Sequence, residues 1–460
     1  MTTRASSPIS LGGEILTSMR LAVPLMFAFL VQGITRFVGV FMIAKLGRDP
    51  LDANALATDT FFTISVIIIG ILGSVNILIA QAHGRGNNET IAKIAAQGIM
   101  VSILLGIPAS ILIWESARLL FLSKQVSGTI AMASALLHTY ALAATPGMFI
   151  YVLEAILIGI SRPKLVLYVS VFEVACEVLL SYVFIFGKFG MPALGATGLG
   201  VAYAITFIGV ALVLFSILVF HPRFRCYPIL RYLYRPSFNY FRRIIGLGLP
   251  IGVMFGIELI FFTACTFLMG RVSAEYLAAH QIALQYYNIP LMAIFAVGQV
   301  TTVRVGFENG QGNQESLLKI FYANLIIIFS ALALVITLLL HLKTALIKFD
   351  IGSITQKNFL ILKHAELLLT ISVFSMLSDA LRWVGYGGLR GLEDTKVPMF
   401  AALITMWLIG LPLQYLLCLG LDFQGAGLWF GSAGILAMSG IFYWLRLKSI
   451  AKSYSLVPQF

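Results

Sequence analysis

Glu258 is set between Phe255-Gly-Ile257 and Leu259-Ile-Phe-Phe262, and Asp379 lies within Met376-Leu-Ser-Asp-Ala-Leu-Arg-Trp383. Both carboxyl groups thus fall inside apolar stretches of bilayer length. A carboxylate at that depth is costly and is retained where it is paired, wetted or used. In a low dielectric the bare charge is penalised, so such a group is suited to binding a proton or a monovalent cation reversibly. Glu258 has no counter-charge on its own helix, and a neutral Gln would serve equally well for packing. Arg382 follows Asp379 by three residues and shares its helix face. Two readings overlap there. One is a local ion pair that makes both charges tolerable; the other is an exchange of Asp379 between Arg382, a coupling cation and substrate. If Arg382 faces a cavity it cancels one carboxylate, which leaves zwitterions and weak anions open as substrates.

A second set of ionisable residues falls at membrane depth in the first half of the chain. Glu173 and Glu177 are four apart and face one side of their helix, with Glu154 and Arg36 as candidate neutralising partners from other helices. Gln281, Gln285, Tyr286, Tyr287 and Asn288 cluster on one later stretch, where they either line a cavity or bond between helices. Met254, Phe255, Phe261, Phe262 and Tyr286 offer adaptable apolar contact to an organic molecule. Pro24 is a candidate bending point in the first helix. This inventory supports reversible cation and ligand binding, with no bond-making machinery beside it. The sequence has no Walker A loop, no HExxH and no serine elbow, so an enzyme is not expected and the energy must come from an ion gradient. No cofactor is expected beyond a coupling Na⁺ or H⁺, with Glu258 and Asp379 as the Na⁺ ligands if sodium is used.

The elements that must position these residues follow from composition. A hydrophobic fraction of 59% with 11% charged residues lies far outside the soluble range. Spans of ~20 apolar residues are expected at roughly 18–45, 54–82, 91–115, 130–158, 164–187, 195–221, 244–271, 276–304, 316–342, 358–389, 395–420 and 426–448. The fold class is an all-α membrane protein. Landmarks recur in order: Leu21-Ala-Val-Pro24 and Leu247-Gly-Leu-Pro250 open the first and seventh spans. Gly195-Ala-Thr-Gly198 and Gly425-Ala-Gly427 introduce the sixth and twelfth. The offset is about 230 residues, or six spans per copy, which relates two lobes by a pseudo-twofold along the membrane normal. The expected division is an N-terminal lobe 1–222, a basic linker 223–243 and a C-terminal lobe 244–460.

A net charge of +12 is better explained by the positive-inside rule than by nucleic-acid binding. With the N-terminus in the cytoplasm, roughly 19 Lys/Arg fall on inner loops and roughly 10 on outer ones. The linker carries Arg223, Arg225, Arg231, Arg235, Arg242 and Arg243 among aromatic residues suited to lipid headgroups. Both termini are therefore expected in the cytoplasm. The polar stretch 1–13 has no apolar core before a cleavage site, so no cleaved leader is expected. Four scattered cysteines suggest packing thiols.

These landmarks resemble the multidrug and toxic compound extrusion (MATE) transporters, in particular the NorM-like branch. The matching stretches are Leu247-Gly-Leu-Pro-Ile251 with Glu258, Ala278-Ala-His-Gln-Ile-Ala-Leu284, Val303-Arg-Val-Gly306, Phe186-Gly-Lys-Phe-Gly190, Leu389-Arg-Gly-Leu-Glu-Asp-Thr395 and Gly410-Leu-Pro412. The resemblance implies twelve helices in two six-helix lobes around a V-shaped cavity, and drug efflux driven by sodium or protons. It places Glu258 on the family's seventh-helix acidic position and Asp379 on its tenth-helix aspartate. The chain departs from the family in its first lobe, where Gly39 stands at the usual first-helix aspartate and Glu177 and Ser181 replace fifth-helix asparagines. An internal Arg36–Glu177 salt bridge in place of a cation site is the resulting expectation. The functional expectation is an antiporter exporting amphipathic, cationic compounds by alternating access. The alternative is a flippase for lipid-linked oligosaccharide or lipid, against which the acidic mid-membrane inventory speaks. The expected setting is a bacterial inner membrane, with small organic substrates and lipids as partners, no nucleic acid, and a monomeric state.

Overall fold

The computed structural model describes residues 10–120, 127–352 and 358–455. Residues 1–9, most of the polar stretch judged not to be a leader, lie outside them. Twelve helices among the described residues are long and apolar enough to cross a bilayer. They are α1 Leu11–Ala44, α2 Arg48–Gly84, α3 Asn88–Arg118, α4 Gly128–Gly159, α5 Pro163–Phe186, α6 Thr197–Phe220, α7 Phe238–Val272, α8 Ala274–Gln311, α9 Ser316–Ile351, α10 Phe359–Gly391, α11 Lys396–Gly420 and α12 Gln424–Ser453. The helices outrun their apolar windows at several ends, because capping is local and needs no hydrophobicity. In α8, Ser273 accepts a bond from the Tyr276 amide and Gly312 closes the far end in a left-handed conformation, with φ of 77°. The helix therefore extends past Thr301 and Arg304 to Gln311.

Two compact units emerge. One is Phe27–Gly256; the other joins Met1–Met26 to Ile257–Phe460. Helices α1 and α7 each begin in one unit and finish in the other, and α1 runs without a break through buried Pro24 just before its crossing.

Within Phe27–Gly256, Ala53, Ala57, Ala133, Leu136, Leu137, Tyr140 and Ala144 form a tight core of α2 and α4. Glycines bring α2 against the start of α7. A Cβ on Gly248 would sit 2.2 Å from the Ile71 carbonyl oxygen, and one on Gly252 would sit 2.4 Å from that of Ile67. This is the small-residue contact by which membrane helices approach closely when no hydrophobic driving force separates them from lipid. After α6 the chain forms a short helix, Ile229–Leu233. It is pinned where the Tyr232 hydroxyl donates to Glu89 Oε1 at 2.8 Å, beside a 2.9 Å Lys93–Glu89 pair. The six linker arginines are exposed around it.

Within the other unit, α8, α10 and α12 pack against one another. A Cβ on Gly387 would meet the Gly298 carbonyl oxygen at 2.3 Å, and one on Gly391 the Thr302 oxygen at 2.8 Å. Helix α11 widens to π-helical turns over Leu403–Gly410 and Leu416–Gly420, on either side of Pro412. Such turns accompany a proline that cannot donate to the ladder.

Candidate functional site

Close contact of α8 with α10 sets the geometry around Asp379. Helix α10 carries Asp379 and Arg382 one turn apart, α7 brings Glu258, and α8 brings Tyr287. Arg382 Nε and Nη2 donate to Asp379 Oδ1 at 2.9 and 2.8 Å, and Nη1 donates to Glu258 Oε1 at 2.5 Å. The Tyr287 hydroxyl donates to Asp379 Oδ2. The group is closed off from solvent: Arg382 and Asp379 are each 2% exposed and Glu258 8%. The guanidinium also lies 5.0 Å from the Trp383 ring centre. With both carboxylates ionised, two negative charges face one positive charge, so the cluster holds one surplus negative charge inside a membrane-spanning unit. In that state the cluster has an internal cation, Arg382, and one charge left to balance.

Further out, the Trp429 indole donates to His280 Nδ1 at 3.1 Å and stands edge-on to Tyr287 with ring centres 5.9 Å apart. His280 Nε2 lies 3.3 Å from the Thr266 hydroxyl. These contacts fix the ring of Tyr287 and hence the direction of its hydroxyl.

Other residues singled out from the sequence are placed elsewhere. Tyr286, the neighbour of Tyr287, turns its hydroxyl to the Leu346 carbonyl at 3.0 Å. Gln281 and Gln285 are exposed and line a cleft of about 530 Å³ with Asn288 and Asp350. Met254 is fully buried and Phe255 half-buried, and both belong to Phe27–Gly256. Phe261 is buried edge-on to Phe262 at 5.4 Å.

In Phe27–Gly256 the three glutamates converge. Glu154, Glu173 and Glu177 are all buried, and the charge of Glu173 bears on both of the others. Gln32 Nε2 donates to Glu154 Oε1 at 3.3 Å and to the Ser170 hydroxyl at 3.0 Å. The expected Arg36–Glu177 bridge is absent among the described residues. Arg36 is exposed, its guanidinium 5.4 Å from the Phe62 ring centre and its charge acting on Asp59. The cause is helical phase: one residue turns the helix by about 100°. Thr35 therefore faces Glu177, and Arg36 points away.

A second buried ionic group joins residues that no local sequence rule connects. Arg304 on α8 donates to both oxygens of Glu14 at 2.9 and 2.8 Å and to Glu308 Oε1 at 2.8 Å. Asn313 donates to Glu308 Oε2 at 2.7 Å, and the Ser18 hydroxyl to Glu14 Oε1 at 3.1 Å. Glu14 reads in sequence as an ordinary acidic residue in a helix's first turn. Only the fold shows that its carboxylate is 290 residues from its partner. Among the described residues, no group of three or more His, Cys, Asp or Glu is placed to hold a metal ion.

The MatE family model matches residues 24–183 and 250–416. The chain is 31% identical over 447 residues to a probable multidrug resistance protein NorM of Mesorhizobium japonicum, covering 95% of each. It is 32% identical over 444 residues to the corresponding Rhizobium meliloti protein, covering 96% of this chain and 94% of that one. Among solved structures, it matches the outward-facing conformation of a multidrug resistance MATE family transporter of the MOP superfamily. That match has a TM-score of 0.88 at 16% identity, covering 99% of this chain and 100% of the other.

Proposed function

The chain belongs to the MatE family, and we propose that it is a secondary antiporter exporting amphipathic, cationic organic compounds in exchange for Na⁺ or H⁺. Members of the family are transporters, not enzymes. The observation that carries the reading is the buried Glu258–Arg382–Asp379–Tyr287 cluster, in which two carboxyls share one guanidinium, leaving one surplus negative charge when both are ionised. One charge can be balanced by the coupling ion or by a positive substrate, but not by both at full strength. An ion arriving from outside therefore weakens substrate binding and favours release. For this to drive transport by alternating access, the ion must bind two conformations unequally. The names of the relatives, multidrug resistance proteins, support organic drugs as the substrate class. A flippase for anionic lipid-linked sugars calls for surplus cation, and the cluster has surplus carboxylate.

Glu154, Glu173 and Glu177 are a second group of buried carboxyls, in the unit Phe27–Gly256, suited to taking up a proton or cation of their own. We assign the chain to a bacterial plasma membrane, with both termini and the basic linker in the cytoplasm and the linker arginines against anionic lipid headgroups. It acts as a monomer. The test is ethidium efflux from proteoliposomes under a sodium gradient and a proton gradient imposed separately, with Glu258→Gln alongside. One gradient is expected to drive efflux in the native chain, and Glu258→Gln to lose it. Undiminished efflux in Glu258→Gln removes the cluster from the mechanism.

A further inference from the structure

We propose that Arg382 is a tethered counter-cation that fills the Glu258–Asp379 site and excludes a free metal cation from it. This deepens the antiport reading and rests on it for its transport consequence. A hard metal ion is held by gathering several oxygen ligands into one shell. Here three of the four carboxylate oxygens already have donors. Asp379 Oδ1 receives two guanidinium nitrogens, Glu258 Oε1 receives the third, and Asp379 Oδ2 receives the Tyr287 hydroxyl. The remaining oxygen, Glu258 Oε2, is too few ligands for a shell.

The guanidinium cannot be neutralised, because arginine stays protonated in proteins. Being covalently attached, it competes at the high effective concentration of any tethered partner. Evicting it leaves a buried guanidinium with no carboxylate, which is strongly unfavourable. Beyond the carboxylates it has the Trp383 ring face, 5.0 Å away, and Tyr287 and Tyr443, none of which is an anion. A proton differs from a metal ion in this respect. It adds to a single carboxylate oxygen, needs no ligand shell, and loosens Arg382 without having to replace it. The groups facing Arg382 are Glu258 from α7, Tyr287 from α8, Asp379 from its own helix α10 and Tyr443 from α12. Arg382 is therefore the residue that selects a proton, or an organic cation large enough to supply its own contacts, over Na⁺.

The test uses the full chain, purified in detergent, with its own tryptophans as reporters, since Trp383 and Trp429 flank the cluster. NaCl is titrated against choline chloride at constant ionic strength while fluorescence is followed. The native chain is expected to give no saturable sodium response, and so is Arg382→Lys, which keeps a tethered charge. Arg382→Gln is expected to gain a saturable response that disappears again in Arg382→Gln/Asp379→Asn. A saturable response in the native chain that is lost in Glu258→Gln overturns the proposal. So does silence in an Arg382→Gln protein with native helicity and elution. If Arg382→Gln does not fold, the native and Arg382→Lys titrations decide alone. Failure of both gradients to move ethidium would remove the antiport reading while leaving this binding comparison intact.

Discussion

Arg304 shows what a single buried side chain contributes at the other ionic cluster. Replacing it by Met leaves the carboxylates of Glu14 and Glu308 buried without a cation, a loss of about 3–5 kcal/mol in comparable pairs. A clear fall in the thermal unfolding midpoint of the detergent-purified protein is expected. The triple change Arg304→Met/Glu14→Gln/Glu308→Gln should recover most of it, because it removes the stranded charges as well as the pair. A triple variant no more stable than the single one would assign the cost to packing. The same scale shows what a sequence conveys about a site. The Asp379–Arg382 contact was legible, because three residues along a helix is a fixed geometry. The arrival of Glu258, 124 residues away in sequence, was not, since no local rule ties α7 to α10. Tyr286 and Tyr287 are indistinguishable as letters, yet 100° of helical phase sends one hydroxyl to the Leu346 carbonyl and the other to Asp379. The same phase turns Thr35 to Glu177 and leaves Arg36 exposed.

At the scale of elements, the glycines of α8 and α10 decide whether the site exists. A side chain at position 387 has to displace the Gly298 carbonyl, since its first carbon would sit 2.3 Å from that oxygen. Gly387→Leu is expected to push the helices apart, separate Tyr287 from Asp379, abolish ethidium efflux and lower the unfolding midpoint. Gly434→Ala on α12 is the matched control, because nothing lies within 4 Å of a Cβ there. It should leave efflux intact and stabilise the helix by up to about 1 kcal/mol. Efflux surviving in Gly387→Leu would show that close approach of these helices is dispensable. The spans themselves were legible to within several residues, because a bilayer demands long apolar runs. The ends were less so, as α8 shows by continuing to Gln311 under the control of caps. The π-helical turns of α11 left only Pro412 as a sign, and a proline in a membrane helix is too common to forecast them.

For the whole molecule, orientation is the property most open to direct measurement. Cys226 in the basic linker is exposed, whereas Cys176 is half-buried and Cys265 and Cys418 are buried. A membrane-impermeant maleimide should label Cys226 in inside-out vesicles and not in intact cells, and Cys226→Ser should abolish that signal. Labelling in intact cells would reverse the assigned orientation. Composition and the six-span repeat made the class of molecule readable, since both are statistical over hundreds of residues. The passage of α1 and α7 from one compact unit to the other was not readable, because it depends on which helices touch. The Glu14–Arg304 pair has a consequence for how the chain is made. Glu14 leaves the ribosome first, and its cation follows 290 residues later, on the eighth span, after six intervening spans have been made. During that interval the first helix carries an unmatched carboxyl that a proton, the membrane surface or the insertion machinery must shelter. Its final docking is then a late event, completed only after translation has passed α8.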